Sequence, residues 1–305
     1  MSSELTRRVL FGVIAAPVAI AIVLAGGAPL AALLAIVAAL GAWELFRIAR
    51  ASGLTPLDDV GIVIAGLIPL GVHARYLHIY DPSTNTFGAV TIATLVILLV
   101  FALTIWMRGV AGKPLSAAAV TLFGAAYVGG TLSYAYAIRY HEYAFEPVPV
   151  AIGGHTFQVP SGGLLLLLPL VATWASDIGA YAIGRTLGRN KLLPSISPAK
   201  TVEGAIGGVL ATMLWSWAYT HWVLRPMTHL DFKWPPAGVL LFAAIVSIVA
   251  QIGDLAESML KREGSVKDSS RLLPGHGGIL DRLDSLFFVL PVSYVLLSAF
   301  LTYAL

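Results

Sequence analysis

Gln251-Ile-Gly-Asp-Leu-Ala-Glu-Ser-Met-Leu-Lys-Arg262 closes an apolar run that opens near residue 237. Pro274-Gly-His-Gly-Gly-Ile-Leu-Asp-Arg-Leu-Asp-Ser285 leads into a second apolar run that reaches residue 304, and Lys267-Asp268 lies between the two. Each run is about 20 residues, the length at which a helix crosses a bilayer. The stretch therefore sets acids and bases at the edge of two membrane spans. A charged group at membrane depth is costly, so a cluster of them is a functional site by default.

The rest of the chain agrees with a membrane reading. Of its 305 residues 58% are hydrophobic and 11% charged, against about 25% charged in soluble domains. No period-2 pattern persists, which argues against a soluble α/β enzyme. There is no cysteine, which excludes disulfides and thiolate metal sites. The expected fold class is all-α, a polytopic integral membrane protein of about nine transmembrane helices, because helices satisfy their own backbone in lipid. The spans fall at 9–25, 28–48, 60–79, 87–107, 115–138, 162–184, 204–224, 237–260 and 285–304. The first run follows Arg7 and Arg8 and reads as an uncleaved helix rather than a signal peptide, since further spans follow at once.

The basic residues orient these spans. With the N-terminus cytoplasmic, 15 of the 19 lysines and arginines fall on inner segments; Arg75, Arg139, Arg225 and Lys233 fall outside. The positive-inside rule favours that arrangement. Residues 1–160 then read as a scaffold of helices facing lipid or a second copy. Residues 161–305 read as the catalytic region, with cytoplasmic loops 185–203 and 261–284. Glu44 is an isolated acid in the scaffold. Arg47 stands three residues on, and the pair reads as an ion pair at the membrane interface.

Asp254, Glu257, Ser258 and Lys261 recur at i, i+3, i+4 and i+7, one face of a helix. Asp281 and Asp284 are three apart and share a face as well. A turn at 274–278 can fold the second face against the first and gather up to four carboxylates with a serine hydroxyl. Hard oxygen donors of this kind suit Mg²⁺ rather than zinc. The bland reading, acids that merely neutralise Lys261, Arg262, Lys267, Arg271 and Arg282, explains neither the Gly-rich turn nor carboxylates on two short faces. Gly275, Gly277 and Gly278 allow positive φ and close backbone approach, and exposed amides there can cradle phosphate oxygens. His276 is either a donor to a phosphate or leaving group, or an ordinary turn histidine. Lys261 and Lys267 are read as phosphate contacts and Arg271 as a topology signal.

The other inner loop reads Ser197-Pro-Ala-Lys-Thr-Val-Glu-Gly-Ala-Ile-Gly-Gly208. Ser197 with Pro198 predicts an N-cap and first helical position, with Lys200 and Thr201 in a first turn that faces an anion. Gly204, Gly207 and Gly208 serve close helix packing or the ligand. Asp177, in the inner half of the sixth span, is a further acid expected to face metal or substrate.

Ser258 through Asp284 resembles the signature of the phosphatidate cytidylyltransferases, the CDP-diacylglycerol synthases, over all 27 positions. The Asp254 segment, the Ser-Pro-x-Lys-Thr-x-Glu-Gly loop and the Asp177 segment resemble the same family in order and spacing. The resemblance covers about the last 130 residues. It implies an enzyme that joins CTP to phosphatidic acid, giving CDP-diacylglycerol and pyrophosphate. It also implies Mg²⁺, a second cation such as K⁺, and a homodimer. It would sit in a bacterial cytoplasmic (inner) membrane with the site facing the cytoplasm, and its partners would be these substrates and the bilayer, with no nucleic acid. On this chain the implied metal positions are Asp254, Ser258, Asp281 and Asp284, with Glu257 beside them; the nucleotide loop is Ser197, Lys200 and Thr201. The expected catalytic set is Asp254, Asp281, Asp284, Lys261 and His276. Lys267, Asp268, Arg282 and Asp177 join the nucleotide side. One departure is that Ala199 stands where the family carries a further lysine, leaving Lys191 or Arg189 to compensate. The rival readings are the same transfer to another lipid phosphate, with an ether or isoprenoid acceptor, and a membrane transporter, which would more often show repeated halves.

Overall fold

The computed structural model describes residues 2–79, 88–144, 147–152, 155–273, 275 and 277–303. The chain is a polytopic membrane protein of the all-α class. The main helices are α1 (Ser2–Ala25), α2 (Gly27–Ala51), α3 (Asp58–Tyr76), α4 (Ala89–Met107), α5 (Pro114–Arg139), α6 (Ser161–Leu187), α7 (Val202–Tyr219), α8 (Ala237–Glu263) and α9 (Leu286–Phe300). Among the described residues seven helical segments are long and apolar enough to span a bilayer. They match seven of the nine expected spans. The exceptions are 9–25, where the shorter segment Ala15–Ala25 is apolar, and 204–224, where the 18-residue α7 gives way to a π-helical turn over Thr220–Leu224.

Among the described residues there are also strands, which the sequence did not show: three antiparallel two-stranded ribbons, β1 (Val148–Ile152) with β2 (His155–Val159), β3 (Lys191–Leu193) with β4 (Ser197–Thr201), and β5 (Leu230–Phe232) with β6 (Leu301–Tyr303). Each is too short to register as an alternating pattern.

The chain divides into two compact units. The first comprises 1–13, 27–136 and 260–282, so its helices are α2 to α5. Phe46, Ala42, Ala65 and Ala125 form one buried cluster in it, and Leu57, Val100 and Ala118 another. The Phe46 ring lies where side chains on Gly61 and Gly124 would project. Lipid supplies no hydrophobic drive between helices, so such packing of a large residue against small ones holds them together. At the start of α3 the Leu57 amide donates to the Thr121 hydroxyl at 2.8 Å.

The second unit comprises 14–26, 137–259 and 283–305. Its centre is the α6–α7 pair. A Cβ on Gly207 would lie 2.5 Å from Ile183, one on Gly208 3.0 Å from the Ser176 carbonyl, and one on Gly179 would strike Ala211. Gly207 and Gly208 are thus buried where the two helices pack closely. Helix α8 is tied in by Ser176 and Ser247, whose hydroxyls are 2.7 Å apart, and by Gln251, which donates to the Ala205 carbonyl at 3.2 Å. Arg139, nearly buried, donates to the carbonyls of Val23 and Leu24 at 3.1 and 2.9 Å. It thus supplies donors to carbonyls that the end of α1 leaves without helical partners.

Candidate active site

A cleft of about 400 Å³ opens in the second unit among α6, the β3–β4 hairpin, α7 and α8, within the size range of small-molecule sites. Asp177, Tyr181, Arg185, Lys200, Thr201, Gln251 and Asp254 contribute to its wall. Asp177, Lys200, Thr201 and Asp254 were expected from the sequence; Tyr181, Arg185 and Gln251 were not.

The hairpin positions Lys200 in a way the Ser-Pro pair did not foretell. Ser197 and Pro198 belong to β4, not to a helix start. Pro198 is tolerated because a two-stranded ribbon leaves one edge unpaired. The helix begins at Val202, and Thr201 is its N-cap. Thr201 has extended backbone (φ −125°, ψ 154°) and its hydroxyl accepts from the Gly204 amide at 3.1 Å. Capping of this kind stabilises a helix by about 1 kcal/mol. Glu203 in the first turn accepts from the amides of Arg189 (3.0 Å) and Asn190 (3.2 Å) and from the Asn190 side chain (2.7 Å). These bonds, the Arg189 amide foremost, hold the Glu203 carboxyl down at about 2.

Lys200 Nζ stands 2.6 Å from Asp254 Oδ2, with both side chains partly exposed. The Ser258 hydroxyl donates to Asp254 Oδ1 at 3.4 Å, as the i, i+4 spacing predicts. Glu257, by contrast, is fully buried. Asp284 belongs to the same unit. A Cβ on Gly253 would lie 2.8 Å from the Asp284 carbonyl, so the Asp284 backbone runs against α8 one residue from Asp254. Its carboxylate accepts from the Ser285 amide at 2.6 Å. The cation in the cleft besides Lys200 is Arg185. It donates to the Tyr181 hydroxyl at 2.7 Å and lies 5.9 Å from that ring's centre. Lys191 lies in β3, and the Arg189 amide bonds Glu203.

The signature loop lies in the first unit. Four donor groups lie within hydrogen-bond distance of Asp281: Lys261 Nζ (2.8 Å), the Ser269 amide (3.0 Å), the Gly278 amide (2.8 Å) and the Ser269 hydroxyl (2.9 Å), which is shared with Glu44. Gly275 and Gly277 have φ of +76° and +81°, the conformation for which glycine was expected. The amide of Gly278 is directed to Asp281, not outward to a phosphate as the sequence suggested. Lys267, Asp268 and Arg282 are exposed. His276 and Pro274 lie outside the described residues.

Glu44 corrects the sequence reading. It is fully buried and accepts from the hydroxyls of Ser269 (2.9 Å) and Ser270 (2.5 Å) and from the amides of Ile279 (3.0 Å) and Leu280 (2.6 Å). Arg47 instead lies over the Trp43 ring, 5.1 Å from its centre. The i+3 spacing suggested a local pair, but partners more than 220 residues away in sequence satisfy this carboxylate.

The donors at both places are carboxylate and hydroxyl oxygens, which fit a hard divalent cation. The lysine ammonium groups on Asp254 and Asp281 show that each carboxylate accommodates positive charge. Within either unit, no group of three or more acidic or histidine side chains among the described residues stands close enough to hold a metal alone.

A model of the cytidylyltransferase family matches residues 6–300. The phosphatidate cytidylyltransferase of Synechocystis is 33% identical over 95% of both chains. That of Bacillus subtilis is 29% identical over 97% of this chain and 99% of its own. That of Staphylococcus saprophyticus is 44% identical over 47% of this chain and 53% of its own.

Proposed function

This chain belongs to the cytidylyltransferase family, and on that premise we propose that it transfers CMP from CTP to phosphatidic acid, giving CDP-diacylglycerol and pyrophosphate. The observation that carries the reading is the cleft in which Lys200 and Arg185 stand beside Asp254 and Asp177, a mixed wall suited to a triphosphate. The names of the full-length relatives supply the lipid acceptor.

The lipid phosphate is an anionic nucleophile at neutral pH and needs no strong base. One of its oxygens forms a bond to the α-phosphorus of CTP as the bond to the β-phosphate oxygen breaks, and pyrophosphate leaves. The obstacle is the approach of two anions, so positioning and charge stabilisation carry the rate. Lys200 and Arg185 attract and orient the triphosphate. The N-cap bond of Thr201 and the Glu203 bonds keep the hairpin, and with it Lys200, in place. Asp254, Ser258, Asp281 and Asp284 are the proposed metal-binding residues, with Mg²⁺ the ion their oxygens suit. When bound, Mg²⁺ would neutralise charge on the α-phosphate and on the departing pyrophosphate. Lys261 orients Asp281 through its contact with Oδ1. The excess of lysine and arginine on one set of loops supports a cytoplasmic site.

The test is purified protein in detergent with CTP labelled in the γ-phosphate, phosphatidic acid and Mg²⁺. Lipid-dependent release of labelled pyrophosphate is expected. Uptake of CTP into vesicles without turnover would replace this reading with transport; release with an isoprenoid phosphate alone would replace the acceptor.

A further inference from the structure

Glu44 is the one carboxylate in the α2 helix, far in sequence from every motif assigned above. Its two oxygens share four donors, two hydroxyls and two main-chain amides, and all four come from residues 269–280. A fully buried carboxylate is costly unless hydrogen-bonded, and charge-assisted bonds to amides are among the stronger ones. The fit is tight: a Cβ on Gly278 would lie 2.5 Å from Glu44 Oε1 and would overlap the Ser269 hydroxyl. The loop therefore closes around this side chain, and Gly278 is the residue that lets it.

The connection to Asp281 is direct. The Ser269 hydroxyl lies 2.9 Å from Glu44 Oε2 and 2.9 Å from Asp281 Oδ2. A hydroxyl has a single proton, so it serves one carboxylate at a time and links the two. The amide of Ser269 and that of Gly278, next to the Glu44-bound Ile279, also end on Asp281 Oδ2. With Lys261 on Oδ1, one oxygen of Asp281 is saturated by the loop and the other is held only by a flexible lysine. The loop that Glu44 braces thus fixes the orientation of Asp281.

We propose that Glu44 is a positioning residue for the transfer reaction: by holding Ser269, Ser270, Ile279 and Leu280 it keeps Asp281 oriented to bind a divalent cation. This rests on the metal role given to Asp281 above. Residues that orient a metal-binding side chain are typically worth about 10–100-fold in metal affinity or activity.

Glu44→Gln keeps the length of the side chain but turns an NH₂ toward groups that are all donors. The experiment compares wild type, Glu44→Gln and Ser270→Ala in detergent by three readouts: Mn²⁺ binding by electron paramagnetic resonance without substrate, amide exchange over 269–281, and the Mg²⁺ dependence of turnover. Expected for Glu44→Gln are faster exchange at Ile279 and Leu280, Mn²⁺ affinity weakened by about 10–100-fold, and a matching rise in the Mg²⁺ needed for half-maximal rate with little change in KM for CTP. Ser270→Ala, which removes one donor and leaves the carboxylate, should shift the same way by less; it serves if Glu44→Gln does not fold. A merely structural role would lower the yield or melting temperature and leave Mn²⁺ affinity per folded molecule unchanged. That result, or unchanged exchange at Ile279 and Leu280, overturns the proposal. Should wild type make no lipid product, the transfer reading fails, while exchange and Mn²⁺ binding still decide the role of Glu44.

Discussion

Lys200 Nζ and Asp254 Oδ2 meet at 2.6 Å across the cleft wall, joining a residue of the β3–β4 hairpin to one on α8. Such a pair is partly exposed and by itself adds little stability. Its value lies in what each partner can do when a triphosphate enters. Lys200→Ala is therefore predicted to raise the KM for CTP by at least about tenfold, the loss of one charge-assisted contact, with a smaller effect on kcat. Initial rates at varied CTP check this; an unchanged KM would remove Lys200 from the nucleotide site.

Asp281→Asn keeps the size of a side chain that accepts from Ser269, Gly278 and Lys261 but turns an NH₂ toward one of these donors. It removes the negative charge. Turnover is predicted to fall by at least about a hundredfold, the scale seen when one stabilising group is lost from an active site. Elution in size-exclusion chromatography should stay that of wild type. Wild-type activity in this variant would take Asp281 out of the reaction.

Gly278→Ala tests the loop rather than the chemistry. The added methyl meets the Ser269 hydroxyl and the Glu44 carboxylate, neither with room to retreat. A destabilisation of about 1–3 kcal/mol is expected from overpacking of this kind, read as a lower thermal midpoint in detergent. An unchanged midpoint would show that the loop has space the structure does not.

Glu203 gives a pH signature. Bonds from the Arg189 and Asn190 amides depress its carboxyl from 4.5 to about 2. A depressed carboxylate stabilises above its unfolded value and loses that contribution as pH falls through its folded value. Amide protection at Arg189 and Asn190 should therefore hold from neutral pH down to about 4.5 and weaken between there and about 2. In Glu203→Gln the protection at these two amides should be lower throughout and show no such transition; a transition that persists would belong to another group.

The span pattern was legible because each run of apolar residues carries its own signal, whatever its neighbours. The Asp254–Ser258 contact was legible for the same reason, being set by helix periodicity. The Thr201 cap was missed because Ser197-Pro198 offers an equally good local start, and only the pairing of Lys191 with Thr201 across the hairpin decides between them. Glu44 was misread because the nearest opposite charge in sequence was taken for its partner. Its true partners lie 225–236 residues away, and no local rule reports them. Tyr181 and Arg185 stand one and two turns beyond Asp177 on the same helix, a spacing the sequence offered, but the hairpin that closes the cleft over that face was not foreseen.

Mass spectrometry of the lipids formed when the purified protein is incubated with CTP, Mg²⁺ and a mixture of phosphatidic acid, isoprenoid phosphate and neutral diacylglycerol tests the central claim most directly. The account predicts CDP-diacylglycerol as the sole new lipid, formed by wild type and absent with Asp281→Asn. A CDP-isoprenoid, a phosphorylated diacylglycerol, or equal product from both proteins would contradict it.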